Sequence, residues 1–280
     1  MSKSFDNLSS TEDFNNLLVV DGLNLAFRYK HLGKDKFAED YVRTVHSFAK
    51  SYKSGKIIIT GDGGSDYRYA LLDTYKISRK DLKDNQTEKE AKEFEDFLSE
   101  VNRAFNLLNL KHPVLRYKGV EADDIAAYIS KYYSENFEHI WLISSDRDWD
   151  LLINNKVSRF SFRTRKEITI NNWNSHYNYE PQDHISIKVL QGDKGDDIPG
   201  VPGIGDKRAA TLIKQHGSAL DIYEKLPLPG DYVYIKNLNA FGDKILLNYE
   251  LMDLLTYCED AIGSNIDDIE EKLQEYFNGS

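Results

Sequence analysis

Three short apolar runs, each closing on aspartate and spaced by helix-length sequence, constrain this chain more than any other feature. Leu17-Leu18-Val19-Val20 leads into Asp21-Gly22, and Ile57-Ile58-Ile59 into Thr60-Gly61-Asp62-Gly63. Ile140-Trp141-Leu142-Ile143 leads into Ser144-Ser145-Asp146-Arg147-Asp148. Unbroken apolar runs are the pattern of strands buried on both faces, as in a parallel sheet, and the helix-length gaps are α/β periodicity. Open parallel sheets bind ligands beyond the carboxyl ends of their strands, so Asp21, Asp62, Asp146 and Asp148 are expected on one edge. Converging carboxylates repel and raise one another's pKa unless a cation neutralises them. A single Asp-Gly reads equally well as turn chemistry; three in phase at strand ends argue for a site.

Gly119-Val120-Glu121-Ala122-Asp123-Asp124 opens an apolar helix between the second and third runs. Acidic residues in a first turn favour the helix dipole on any helix. Here their spacing sets three carboxylates around a helix mouth that faces the same sheet edge. Another acidic group, Asp193 and Asp196, lies in the glycine-rich stretch 190–210. The single cysteine, Cys258, and seven histidines without close ligand pairing leave no cysteine-clustered or HExxH zinc site. Oxygen-only ligands suit magnesium or manganese better than zinc.

Lys plus Arg is 36 and Asp plus Glu is 46, a net charge of −10 that argues against a nucleic-acid partner unless the basic groups are segregated. They cluster in several places. Gly203-Ile204-Gly205 precedes a basic helix start, where backbone N–H groups can hold a phosphate while Lys207, Arg208 and Lys214 meet a DNA backbone. Residues 65–112 form a charge-dense helical excursion. At its start Arg68, Tyr75, Lys76, Arg79 and Lys80 interleave basic and aromatic groups suited to phosphates and unstacked bases; Glu88 to Glu100 reads as a plain amphipathic helix. Arg159, Arg163, Arg165 and Lys166 mark a basic hairpin, read as a solvated strand face. With 280 residues, 40% of them hydrophobic, the chain can bury a full core as one large domain or one domain with an appendage. No apolar run approaches the roughly 18 residues of a membrane span, and the start is rich in Ser, Asn, Asp and Glu. Both features predict a soluble intracellular protein.

Six motifs in order, VDGLN at 20–24, GDGG at 61–64, YKISR at 75–79, GVEADD at 119–124, SSDRDW at 144–149 and GDKGDDIPGVPGIGDKRA at 192–209, resemble the 5′-nuclease family. That family includes phage flap endonucleases, the 5′-nuclease domain of bacterial DNA polymerase I and the eukaryotic flap endonucleases. The resemblance covers about residues 17–260 and is strongest to the stand-alone enzymes of tailed phages. It implies a PIN-like α/β fold with a mainly parallel central sheet flanked by helices. The nuclease core would span 1–185 with a helical arch at about 65–112, and 186–280 would hold a helix-three-turn-helix region and C-terminal helices packed on the core.

The resemblance further implies that Asp21, Asp62, Glu121, Asp123, Asp124, Asp146, Asp148, Asp193 and Asp196 are metal-site positions. Lys76 and Arg79 match the arch's active-site-facing basic residues. Arg68, Tyr75, Lys80, Gly203, Gly205, Lys207, Arg208 and Lys214 are candidate DNA contacts, and in the family the glycine turn often holds a potassium ion through backbone carbonyls.

The expected activity is structure-specific 5′-3′ exonuclease and flap endonuclease hydrolysis with two Mg2+ ions, for which Mn2+ can substitute, serving primer or flap removal in replication. One ion is expected near Asp21, Asp62, Glu121 and Asp123, the other near Asp146, Asp148, Asp193 and Asp196, with Asp124 reaching either through water. Expected substrates are 5′ flaps, pseudo-Y forms and nicked or gapped duplexes, with RNA-primed strands among the candidates; the expected state is a monomer in the cytoplasm, the host's if phage-encoded. Two rivals remain at this point: a non-catalytic branched-DNA-binding protein, which would have lost carboxylates that this chain keeps, and a PIN-like ribonuclease, which would lack the arch and glycine turn.

Overall fold

The computed structural model describes residues 14–279, so most of the polar start lies outside the described residues. The first half runs β1 (Asn16–Asp21), α1 (Gly22–His31), α2 (Ala38–Ser51), β2 (Ser54–Gly61), α3 (Asp66–Leu71), α4 (Ile77–Asp84), α5 (Glu88–Asn109), β3 (Val114–Arg116), α6 (Ala122–Tyr133), β4 (Ile140–Ile143), β5 (Val157–Ser161) and β6 (Lys166–Ile168). The sheet order is β3-β2-β1-β4-β5-β6, with every pairing parallel except the last. The chain therefore winds outward from β1 to β3 and then crosses to β4 on the other side. That reversal puts a crevice at the carboxyl end of β1, where Asp21 ends its strand between those leading to Asp62 and Asp146.

Leu17 to Val20 are fully buried because both sheet faces are covered. Leu17 and Val19 join Ile58 and Leu142 beneath α6, whereas Leu18 and Val20 join Ile57, Ile59 and Ile143 beneath α1, α2 and α5, the alternation a strand imposes. Each such side chain contributes roughly 1.5–3 kcal/mol by leaving water. The last turns of α5 pack Val101, Ala104, Phe105 and Leu108 into the second core. Residues 77–93, by contrast, are exposed throughout and project from the body.

After α7 (His184–Gln191) come the two-residue strands β7 (Gly192–Asp193) and β8 (Ile198–Pro199), then α8 (Asp206–His216), α9 (Ala219–Glu224) and α10 (Val233–Met252). These helices bury their own core, including Leu190, Leu212, Ile222, Leu238 and Ile245. Then α11 (Leu254–Ile262) and α12 (Ile266–Asn278) return to the sheet, placing Leu254, Cys258, Ile262, Ile269 and Leu273 in the first core. A small cluster of Tyr75, Ile198, Leu251 and Met252 joins the excursion's base to the C-terminal half.

The hairpin expected from Arg159 onward forms as antiparallel β5–β6, but the expectation of a solvated face fails at Arg159. Its side chain is buried and forks onto Asp150. The irregular 3-10 turn Asp148–Leu152 covers that face of β5, and alternation in the sequence does not disclose such a cover.

Candidate active site

A chain of hydrogen bonds ties the strand ends together. Asp21 Oδ1 accepts from Asn24 N at 3.2 Å, capping α1, and Oδ2 accepts from Ser144 Oγ at 2.7 Å. Ser144 Oγ accepts in turn from Asp146 N at 3.0 Å, and Asp146 Oδ1 from Asp148 N at 3.0 Å. Asp62 Oδ1 accepts from Gly64 N at 2.8 Å. Gly63 brings this loop against the mouth of α6, exchanging backbone bonds of 2.9 Å with Val120 and Gly119. A Cβ at Gly63 would stand 1.8 Å from the Tyr117 carbonyl oxygen, so only glycine permits that approach. Trp149 Nε1 donates to Asp123 Oδ1 at 2.6 Å. As a result Asp21, Asp62, Asp123, Asp146, Asp148, Asp193 and Asp196 line one cleft of about 330 Å³, together with Lys76 and Arg79.

The cleft is electrostatically loaded. Burial pushes the Asp21 carboxyl up to about 7, with Asp146 and Asp62 adding to the rise against the hydrogen bonds from Ser144 and Asn24. Asp123 is raised well above the carboxylate range by burial and by Asp146 and Asp21, and Asp146 by burial and Asp148. Burial lifts Asp196 to about 6 although Lys76 and Arg79 oppose it. Two ammonium groups reach in: Lys76 Nζ pairs with Glu121 and lies 3.7 Å from Asp196, while Lys188 Nζ lies 2.6 Å from Asp148 and 3.3 Å from Asp193. At Glu121 burial is outweighed by Lys76 and Arg68, which hold its carboxyl low.

Among the described residues no three of these carboxylates are closed into a ligand cage. The donor set nonetheless fits a hard divalent cation: it is carboxylate oxygen alone, crowded enough to resist full ionisation, without imidazole or thiolate.

Three expectations need correction. Asp124 is fully buried, gives both oxygens to Arg68 at 2.8 Å and does not line the cleft. Arg68, expected at DNA, is 3% exposed; it also donates to Glu121 Oε2 at 2.7 Å and to the Leu251 carbonyl at 2.8 Å. The inner face of α3 packs where two buried carboxylates need a counter-charge, and removing either partner would leave a buried charge unpaired. Tyr75 is 2% exposed, with its hydroxyl within 3.1 Å of Glu121 and Asp196, and so offers no ring face to a base.

The remaining candidates are accessible. Arg79 Nη2 donates to Asp196 Oδ1 at 2.7 Å, and Lys80 lines an adjoining groove with Lys83. Gly203 has φ +85°, Gly205 caps α8, and Lys207 and Lys214 line a further groove beside Tyr179 and Glu180. Arg208 lies 4.9 Å above the Tyr234 ring and donates to the Gly203 carbonyl. Sequence reasoning missed Lys188, Trp149 and Ser144. Lys188 carried one signal, a lone cation in the apolar helix HISIKVLQ just before Gly192-Asp193.

Residues 16–179 match the family described as the 5′-3′ exonuclease N-terminal resolvase-like domain, and residues 179–275 the 5′-3′ exonuclease C-terminal SAM fold. This chain belongs to the 5′-3′ exonuclease family. It is 44% identical to the flap endonuclease of Escherichia phage T5 over 98% of this chain and 97% of that one. A crystal structure of the phage T5 flap endonuclease, a pseudo-enzyme–product complex with DNA and metal ions, matches with a TM-score of 0.88 at 43% identity, covering 94% of this chain and 98% of that one. DNA polymerase I of Bacillus subtilis is 27% identical over 86% of this chain, which spans only 28% of that polymerase. As a member of this family the chain is a nuclease, a phosphodiester hydrolase built on a mainly parallel α/β sheet.

Proposed function

We propose that this nuclease cleaves branched or 5′-ended DNA near free 5′ ends and junctions, acting as 5′-3′ exonuclease and flap endonuclease with Mg2+. One observation carries the reading: seven carboxylates from both halves of the chain line a single cleft, and Lys76 and Arg79, at the base of a projecting helical segment, stand at its wall. Asp21, Asp62 and Asp123 would hold one ion, joined by Glu121 only if it exchanged its Lys76 partner for the metal, since Glu121 lies buried outside the cleft lining and is paired with Lys76 and Arg68. Asp146, Asp148, Asp193 and Asp196 would hold the other. Asp124 serves instead as a partner of Arg68. Bound divalent ions lower the pKa of an attacking water and stabilise a leaving oxygen.

The chain's own groups supply the rest. Lys76 and Arg79 offer positive charge where phosphoryl charge grows in the transition state, which is differential rather than uniform binding. Lys207 and Lys214, with the turn before α8, meet duplex phosphates, so affinity falls with salt. Specificity follows DNA shape, as no element among the described residues resembles a base-reading module. A potassium ion would take the free lone pairs of carbonyls in the glycine turn, where those of Pro202 and Gly203 each accept one hydrogen bond, from Asn237 and Arg208.

The nuclease core extends to about residue 185, and the helix-three-turn-helix region follows it. The enzyme would act as a cytoplasmic monomer on flap, pseudo-Y, nicked or gapped duplexes, RNA-primed strands included, removing primers or flaps during replication. No helix among the described residues is long and apolar enough to cross a membrane. The test is cleavage of a labelled duplex bearing a 5′ single-stranded flap in magnesium, calcium and chelator. Cutting near the junction only in magnesium supports the reading; tight binding without cutting in magnesium or manganese overturns it.

A further inference from the structure

Beneath the loop that carries Asp146 and Asp148 lies a buried ion pair, Arg159 with Asp150, neither of which lines the cleft. The Arg159 guanidinium, 3% exposed, forks onto Asp150 through Nε at 2.6 Å and Nη2 at 2.8 Å, and Nη1 donates to the Ser144 carbonyl at 2.9 Å. Asp150 is 2% exposed and also accepts from the Tyr177 hydroxyl. Arg159 thus grips both ends of the segment 144–150. At the near end Ser144 bonds Asp21 and the Asp146 amide; at the far end Asp150 follows Asp148 and the Trp149 that holds Asp123.

We propose that Arg159 and Asp150 are positioning residues for the divalent-metal site, setting the separation of Asp21, Asp123, Asp146 and Asp148 from below. This rests on the metal reading of the cleft. Stability alone is a poor account of the pair, since a buried ion pair replaced by apolar side chains of similar volume commonly leaves a fold as stable or more so. Such a replacement cannot hold the Ser144 carbonyl or orient the turn at Asp148. Partners behind metal ligands typically change metal affinity by about 10–100-fold.

The test compares the parent with Arg159→Lys, which keeps the charge but loses the fork, and with Arg159→Met combined with Asp150→Leu, which removes both charges together. Mn2+ binding is read by calorimetry without DNA, alongside melting and flap-DNA affinity in chelator and the Mg2+ needed for half-maximal cleavage. Both variants are expected to bind Mn2+ about 10–100-fold more weakly and to need correspondingly more Mg2+. Flap affinity in chelator should stay at the parent value, and the double variant should stay folded while melting somewhat lower, because the Ser144 carbonyl and the Tyr177 hydroxyl lose their partners.

Parent-like Mn2+ affinity in a folded double variant overturns the inference, as does loss of fold in both variants, which would make the pair purely structural. Asp146→Asn separates the two levels. If the parent and Asp146→Asn both bind no Mn2+, the metal reading itself fails; if only the Arg159 variants match the parent, the positioning role alone fails.

Discussion

Lys76 is the residue on which the proposed chemistry can be tested most sharply. Its backbone is left-handed, φ 50° and ψ 26°, a conformation that costs a non-glycine residue about 1–2 kcal/mol. That bend turns the chain away from the buried Tyr75 and directs Nζ to Glu121, while Lys76 N donates to the Asp196 carbonyl at 3.0 Å. Lys76→Ala should lower kcat by on the order of 10²–10³, the loss seen when one transition-state charge partner is removed, with duplex affinity nearly unchanged. Lys76→Gly should lose as much turnover yet melt higher than the alanine variant, because glycine adopts the bend without strain. Steady-state kinetics and melting curves check both, and an unchanged kcat would remove Lys76 from the chemistry. Asp146→Asn should abolish cleavage and keep the fold, since it removes one of several repelling buried charges; retained cleavage at saturating magnesium would take Asp146 off the metal. Asp21, Asp62, Asp123, Asp146 and Asp148 could be read from the sequence because each lies just after an apolar run or at a helix mouth, positions that topology brings together, whereas Asp193 and Asp196 stand out as an acidic pair in a glycine-rich turn. Arg68 and Tyr75 could not, because interleaved basic and aromatic residues look the same whether a short helix turns them outward or toward buried acids.

At the scale of elements, the excursion α3–α5 is held to the C-terminal half by a few groups at its base. Ser78 N and Oγ donate to Asp197 at 2.8 and 2.5 Å, Arg79 pairs with Asp196, and Tyr75 packs with Ile198. Asp197 has φ 57°, so Asp197→Gly removes the carboxylate without straining the backbone. Losing these two solvent-exposed hydrogen bonds should speed amide hydrogen exchange over 77–93 and leave exchange in β1, β2 and β4 unchanged. Exchange over 77–93 equal to the parent's would show that the other contacts suffice. The central strands were legible because continuous apolar runs of this length need cover on both faces. The three-residue β3 and the two-residue β7 and β8 were not, since so short a strand is defined by its partner rather than its composition. The expected exposure of Arg159 failed for a related reason, as the turn that covers it carries no periodic pattern.

For the whole molecule, the net charge of −10 is concentrated enough to make stability depend on cation and pH together. Asp21 titrates at about 7 and Asp196 at about 6, both raised chiefly by burial, against about 3.9 for an unfolded aspartate. Between those values the folded chain binds more protons than the unfolded one, so these groups cost stability progressively as pH rises from about 4 to 7, with the full cost above 7. His112 and His184, each pushed down to about 4 chiefly by burial, act in the opposite direction between about 4 and 6.5. Neither lines the cleft, so the difference between melts with and without magnesium cancels their effect. A divalent ion that binds only the folded state stabilises it by mass action, and it competes with protons for the same carboxylates. Millimolar Mg2+ should therefore raise the melting temperature substantially at pH 8 and much less at pH 5.5, and Asp146→Asn should shrink the difference. An equal shift at both pH values would mean that magnesium binds outside the cleft, and that its raised carboxylates are relieved by Lys76 and Lys188 alone.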